Sequence, residues 1–497
     1  MEEIGSLIDR AAGSGGLAGV AAAVVRPGQP PTMRCIGDAD VSTARPVDPD
    51  TVFRIASVTK TMTAIGLMQL HEAGRFQLND PVNGYLTAFR IGERSGWPEV
   101  TFRHLLTHTA GIGEIPRLAD VIHPAAFGTG KPGSASADLA SLYHGVLRPE
   151  VPAGTKWAYA NHGFAVAGQL VQDISGVPLP EYMREHVLDP LQMARTDYLR
   201  SDRVTEAAAI GYRRRKGRLQ AVRDYDLSLL GPGGVRSTLS DMARYAEALL
   251  RGGAGEEGFV LRPGTLAEMW SPQFSPDPRI PGMGLAFFRH DFDGHRVVGH
   301  AGNLPGFASA LLLAPDDGVG VVVLTNTATL LGAHLLAEAC LRSELGLPDP
   351  ATRLPRPGVP EHPEAWHGLA GYYVPPPGLL TNVRTWPLLG GEVQVVTRNG
   401  HLLARALVPV PYLRGGARLY PVDAGDPMVF QVNAGRMVVP VVFRPDAGGH
   451  EMCVGHPVLA TLRGRPGWRS SRVRLRAVAG AAAAGAAIRW ARRRQSR

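Results

Sequence analysis

The sequence predicts an α+β fold: an antiparallel sheet with its terminal helices on one face and a helical subdomain inserted, then a small β-rich, barrel-like domain. Three observations predict it. Within residues 1–345 the order is helix and strands, a long helical and loop-rich middle, then strands and a closing helix, which suits one mixed layer architecture. The stretch Gly346–Trp366 holds six prolines with little apolar periodicity and reads as a linker. Beyond it, residues 367–463 carry short strand-like runs, among them VQVVTRNGHLLARAL, with Asn399-Gly400 placed for a hairpin turn, and MVVPVVFRP.

The elements follow from local pattern. An amphipathic segment, roughly Glu2–Ala12, predicts an opening helix, and GVAAAVV at Gly19–Val25 a first strand. Apolar Ile65, Met68 and Leu70 predict a helix from Ser57 to about Ala73. Further helices are predicted at Gly163–Ile174, Pro180–Val187, Leu239–Leu250 and about Leu330–Leu345. The segment 296–325 reads as consecutive strands (RVVGH, FASALLLAP, GVGVVVLTN), with Pro315-Asp316-Asp317-Gly318 as a turn between the last two.

Composition narrows the function. With 44% hydrophobic and 19% charged residues in 497, the chain is globular and long enough for two domains. Cys35, Cys340 and Cys453 are odd in number and far apart, so they suggest neither a disulfide framework nor a zinc site. Of the 52 cationic residues eleven are arginines after residue 462, leaving 41 against 44 acidic residues in the body. The +8 net charge therefore belongs to residues 463–497 and is no argument for a nucleic-acid partner. The apolar core of that tail, Ala477–Ile488, is 12 residues long. It falls short of the ~20 that span a bilayer, which leaves a solvated helix or peripheral contact with anionic membrane. No basic n-region with an apolar run opens the chain, so a cytoplasmic location is expected.

Only four of the cations are lysines: Lys60, Lys131, Lys156 and Lys216. Where a bare charge suffices the chain uses arginine, so a retained lysine is a candidate for work that needs proton loss. Lys60 closes Ser57-Val58-Thr59-Lys60. If Ser57 opens a helix, Lys60 lies one turn on and on the same face, within reach of the serine hydroxyl. Held neutral, it can take the serine proton, while the helix N-terminus favours developing negative charge. A capping serine with a surface lysine would produce the same pattern without chemistry. Tyr159-Ala160-Asn161 follows a Pro-Ala-Gly turn and precedes a predicted helix. A phenol near a lysine can relay protons, and an amide two residues on can orient both lysine and substrate. His300-Ala301-Gly302 ends the strand RVVGH and is followed by Asn303. A glycine there would let substrate approach the strand edge, and the Asn303 N–H could pair with that of Ser57 as an oxyanion hole. Alone, either of these two motifs reads as ordinary structure.

Together and in order, these motifs resemble the serine β-lactamase-like family: class C β-lactamases, related penicillin-binding proteins, D-aminopeptidases and β-lactamase-like esterases. The resemblance covers about residues 15–345. It extends to LLTHTAGI (Leu105–Ile112), PLQMART, GPGGVRSTLSDMARYAEALLRGG and HAGNLPGFASALLLAPDDGVGVVVLTN. It implies a β-lactamase/transpeptidase-like sheet and a serine hydrolase that needs no cofactor or metal. Ser57 would be acylated, with Lys60 and Tyr159 sharing proton transfer. Asn161 would position groups, His300 and Gly302 would line a third side, and His108 would be structural. At His300 the β-lactamases of this group carry the lysine of Lys-Thr-Gly, which grips the carboxylate of β-lactams. The departure favours the esterase and D-aminopeptidase branches. The expected partner is a small ester, amide or peptide, with a non-catalytic scaffold as the reading from another class.

Overall fold

A computed structural model describes residues 4–465, apart from 14–15, 116–128, 131–137, 257, 330, 351–358, 384, 386–388, 407–414, 435–436, 448 and 457. Nearly all of the basic tail therefore lies outside the described residues. The chain divides into two compact units, one of Met1–Ser275, Pro281–Thr352 and Gly378–Thr381, the other of Pro276–Ile280, Arg353–Pro377 and Asn382–Arg497. The division falls inside the segment read as linker, between Thr352 and Arg353. The helix Pro363–Leu369 overlaps the end of the segment read as linker. Pro363 and Glu364 start that helix, so local proline content misleads there: proline is well tolerated in a first helical turn.

The first unit is built on a seven-stranded antiparallel sheet. Its order is Phe288–Phe292, His295–Leu304, Phe307–Ala314, Val319–Thr325, Gly19–Val25, Thr32–Asp40 and Arg45–Pro46. The first and last strands of the chain segment meet at the centre, where Val20 opposes Thr325 and Val25 opposes Gly320. Every residue of the three central strands Gly19–Val25, Phe307–Ala314 and Val319–Thr325 is buried. That explains their continuous apolar runs: such strands are covered on both faces.

Alternation then sorts the side chains. Val20, Ala22 and Val24 join a core with Leu7, Ile8, Leu336, Ala337 and Leu341 from the terminal helices Ile4–Gly13 and Gly332–Glu344. Ala21, Ala23 and Val25 face a larger core with Met62, Ile65, Met242 and Tyr245. Both terminal helices thus share one face, as predicted. Three strands were missed, Thr32–Asp40, Arg45–Pro46 and Phe288–Phe292, because they are short or mix charged and small residues. The predicted helix at Pro180–Val187 is an α-helical turn, Leu179–Met183, running into a π-helical one, Arg184–Leu188.

The second unit is a closed barrel of eight antiparallel strands, from Gly371–Val374 through to Ala460–Arg465, which pair with each other to close it. Asn399, with φ 51°, and Gly400, with φ 72°, make the predicted hairpin turn. Leu402, Ala404 and Ala406 alternate inward along His401–Ala406, the period of a filled small barrel.

Candidate active site

Ser57 sits in a 3-10 turn, Ala56–Val58, ahead of the helix Thr59–Glu72. Ala56 before it takes the left-handed conformation, φ 50°, a turn sharp enough to redirect the chain from the short strand Phe53–Arg54 into the helix. That strand is paired with Arg236–Ser237, and the Ile55 N–H donates to the Val235 carbonyl at 3.2 Å. The sheet braces the turn from the other side. The Ser309 hydroxyl donates to the Ile55 carbonyl at 2.6 Å. A Cβ on Gly302 would stand 2.4 Å from that same oxygen and 2.9 Å from the Ala56 methyl. Gly302 is therefore required by the close approach of its strand to the serine turn, a different reason from the predicted approach of substrate.

The helix that follows is buried almost all round, from Thr59 through Met68, and carries Lys60 inside with no exposed surface. Lys60 Nζ lies within hydrogen-bond distance of Ser57 Oγ at 3.0 Å, Asn161 Oδ1 at 2.8 Å and the Pro232 carbonyl at 2.8 Å. Two of these oxygens can only accept. Each accepts an N–H from Lys60, and Ser57 Oγ occupies another direction around the same nitrogen. The Pro232 carbonyl is placed by Thr63, whose hydroxyl donates to Gly231 at 2.8 Å, and by Thr59, which accepts from the Val235 N–H. Sequence reading missed Pro232, since a main-chain oxygen leaves no side-chain signature in GPGG.

Tyr159 is nearly buried, and its ring centre lies 4.9 Å from Lys60 Nζ. His108 stacks on it at 4.2 Å. The His108 carbonyl accepts from Ala158 at 2.8 Å and its Nδ1 accepts from the Ala160 N–H at 3.2 Å. This histidine, itself in a left-handed conformation with φ 56°, thus pins the extended segment that presents Tyr159, the structural role expected of it. Asn161 opens the helix Asn161–Ser175 instead of preceding it. Its Nδ2 donates to Glu114 Oε1 at 3.1 Å. Nothing in the sequence around Glu114 distinguishes it from a solvated carboxylate.

His300 lies inside the strand His295–Leu304, which continues past the predicted end. It is 3% exposed, and its Nδ1 is 2.7 Å from the Ala301 carbonyl, so that nitrogen carries the proton. Its ring packs 5.3 Å from Phe288 and 6.1 Å from Tyr159. Asn303 is exposed on the same strand, opposite Ala308.

A serine, a lysine held by two carbonyl oxygens, a tyrosine ring beside that lysine and a glycine strand against the serine turn form one constellation. The profile described as Beta-lactamase matches residues 4–339. The chain belongs to the β-lactamase family. A β-lactamase of Yersinia enterocolitica is 27% identical over 344 residues, 63% of this chain and 82% of that protein. Two solved structures share the fold of both units. The octameric penicillin-binding protein homologue from Pyrococcus abyssi has a TM-score of 0.62 and 21% identity, covering 93% of this chain and 99% of that one. SurE with D-Leu has a TM-score of 0.58 and 22% identity, covering 93% and 98%. Members of this family are generally serine hydrolases. Among the described residues no helix is long and apolar enough to cross a membrane.

Around the site, the first unit includes the four residues Gly378–Thr381. The Glu150 carboxylate accepts from the N–H groups of Leu379 at 2.6 Å, Leu380 at 3.1 Å and Thr381 at 2.8 Å, and from the Thr381 hydroxyl at 3.0 Å. Burial pushes its pKa up, but these hydrogen bonds outweigh that and leave it below its ordinary value. Lys156 donates to the same hydroxyl at 3.0 Å, and burial, partly offset by Glu150, brings its pKa down to about 8.

Proposed function

We propose that this chain is a serine hydrolase that takes the acyl group of a carboxylic ester or amide onto Ser57 and then passes it to water. The observation that carries the reading is the pair of carbonyl oxygens, Asn161 Oδ1 and Pro232 O, that holds Lys60 Nζ within hydrogen-bond distance of Ser57 Oγ. In the reaction Lys60 takes the serine proton as Oγ attacks the carbonyl carbon. Tyr159 and Lys60 together return a proton to the departing alcohol or amine. The N–H groups of Ser57 and Asn303 face the oxyanion, and the helix behind Ser57 adds the positive end of its dipole. Asn161 orients the lysine and the substrate, and His300 and Gly302 line the wall opposite.

His300 in place of a lysine removes a permanent positive charge from that wall, and this supports esters and neutral amides over β-lactams. A second reading, hydrolysis of peptides bearing a D-residue, is favoured by the likeness to SurE with D-Leu. The buried lysine beside Ser57 weighs against a scaffold that has lost its chemistry.

Pre-steady-state hydrolysis of p-nitrophenyl butyrate by wild type and by Ser57→Ala tests the proposal. A burst or steady turnover lost in the variant is expected. Equal rates in the two proteins would remove ester chemistry from Ser57.

A further inference from the structure

We infer that Glu114 is a positioning residue of this site: it sets which way the Asn161 amide faces, and through it aims Lys60 at Ser57. The inference rests on Ser57 as the acylated group. A carboxylate accepts hydrogen bonds and offers none, so Asn161 must turn its Nδ2 towards Glu114 Oε1. Its Oδ1 is thereby turned to Lys60 Nζ, at 2.8 Å, opposite to a 3.1 Å contact with Glu114. With the amide reversed, Nδ2 would face the lysine and compete for its lone pair, the electron pair needed by the serine proton. Asn161 alone has no preference between these states, since an amide presents similar shapes either way.

The carboxylate is itself held. The Glu114 N–H donates to the Leu380 carbonyl at 3.3 Å. A Cβ on the preceding Gly113 would lie 2.5 Å from Leu380 Cβ, so the two segments touch. Leu380 is in turn fixed by its N–H bond to Glu150, and its neighbour Thr381 by Glu150 and Lys156. A continuous set of contacts thus runs from Gly378–Thr381 through Glu114 and Asn161 to Lys60.

The test is stopped-flow acylation by p-nitrophenyl butyrate, with Ser57 titrated by a fluorophosphonate to count active sites. Glu114→Ala is expected to lower the burst rate constant about tenfold per titrated site, the effect of losing one charge-assisted hydrogen bond, with KM within about twofold. Glu114→Gln, whose amide oxygen can still accept from Asn161, recovers part of that loss. In an Asn161→Ala background Glu114→Ala adds nothing further, because the two act through one amide. A burst rate in Glu114→Ala within twofold of wild type, an equal loss in the Asn161→Ala background, or a Gln variant no faster than Ala would each overturn the inference. A wild type that the fluorophosphonate leaves unlabelled at Ser57 overturns this inference and the acyl-serine reading together, whereas a labelled wild type beside an unchanged variant overturns this inference alone.

Discussion

Gly302 faces the Ile55 carbonyl so closely that a methyl group in place of its hydrogen would stand 2.4 Å from the oxygen. The Ser309 hydroxyl donates to the same carbonyl, so the position of the serine turn is shared between two neighbouring strands. Gly302→Ala is therefore expected to push the turn away from the sheet. Displacement of a nucleophile by about an ångström costs on the order of 10²-fold in acylation. The overpacking costs about 1–3 kcal/mol of stability. Burst kinetics and thermal melting read the two effects. Gly264→Ala, where a methyl group meets nothing within 4 Å, serves as the silent comparison.

Lys60 is fully buried and touches Ser57 at 3.0 Å. Lys60→Met keeps the aliphatic stem and removes the base, and a loss of about 10²–10⁴-fold in the acylation rate is expected. Lys60→Arg places a permanent charge there that cannot accept the serine proton, so it is expected to be no better than Met. Fluorophosphonate labelling of Ser57 measures both. An arginine variant near wild-type rate would show that charge, not proton transfer, is the lysine's contribution.

Lys156 gives a pH signature in stability. Its pKa falls from 10.5 to about 8 on folding, chiefly through burial. Below about pH 8 both folded and unfolded chains hold the proton, and the cost of burying the charge is fully felt. Between about pH 8 and 10.5 unfolding takes up a proton, so this group makes the protein more stable as pH rises. The increment is at most about 1.4 kcal/mol per pH unit. Lys156→Met removes it. The difference in Tm between wild type and variant is expected to stay flat below pH 8, then move in favour of wild type up to pH 10.5. A difference that stays flat throughout would show Lys156 to be unshifted by folding.

How much of this was legible beforehand follows from the reach of each signal. The buried central strands announce themselves as apolar runs, Gly19–Val25 and 319–325, because strands covered on both faces need no polar alternation. Ser57 and Lys60 could be paired on paper because three residues along a helix is one turn, a distance set by helix geometry alone. Tyr159 and Asn161 carried a weaker signal, and only their order relative to Ser57 and His300 gave it weight.

The sequence by itself determined the elements and the short-range geometry: the α+β order, the strands that form the centre of the sheet, the hairpin at Asn399-Gly400, and a lysine one helical turn from a serine. Those properties depend on backbone periodicity and on residues a few positions apart. Only the tertiary structure decided which way the lysine faces. That depends on the Pro232 carbonyl, 172 positions along the chain, on the Asn161 amide 101 positions away, and on Glu114 behind it. Hydrogen-bond acceptors of the main chain are identical at every residue, so no local pattern marks Pro232. The same holds for Gly302, whose necessity comes from a carbonyl almost 250 residues distant, brought to van der Waals contact by the fold.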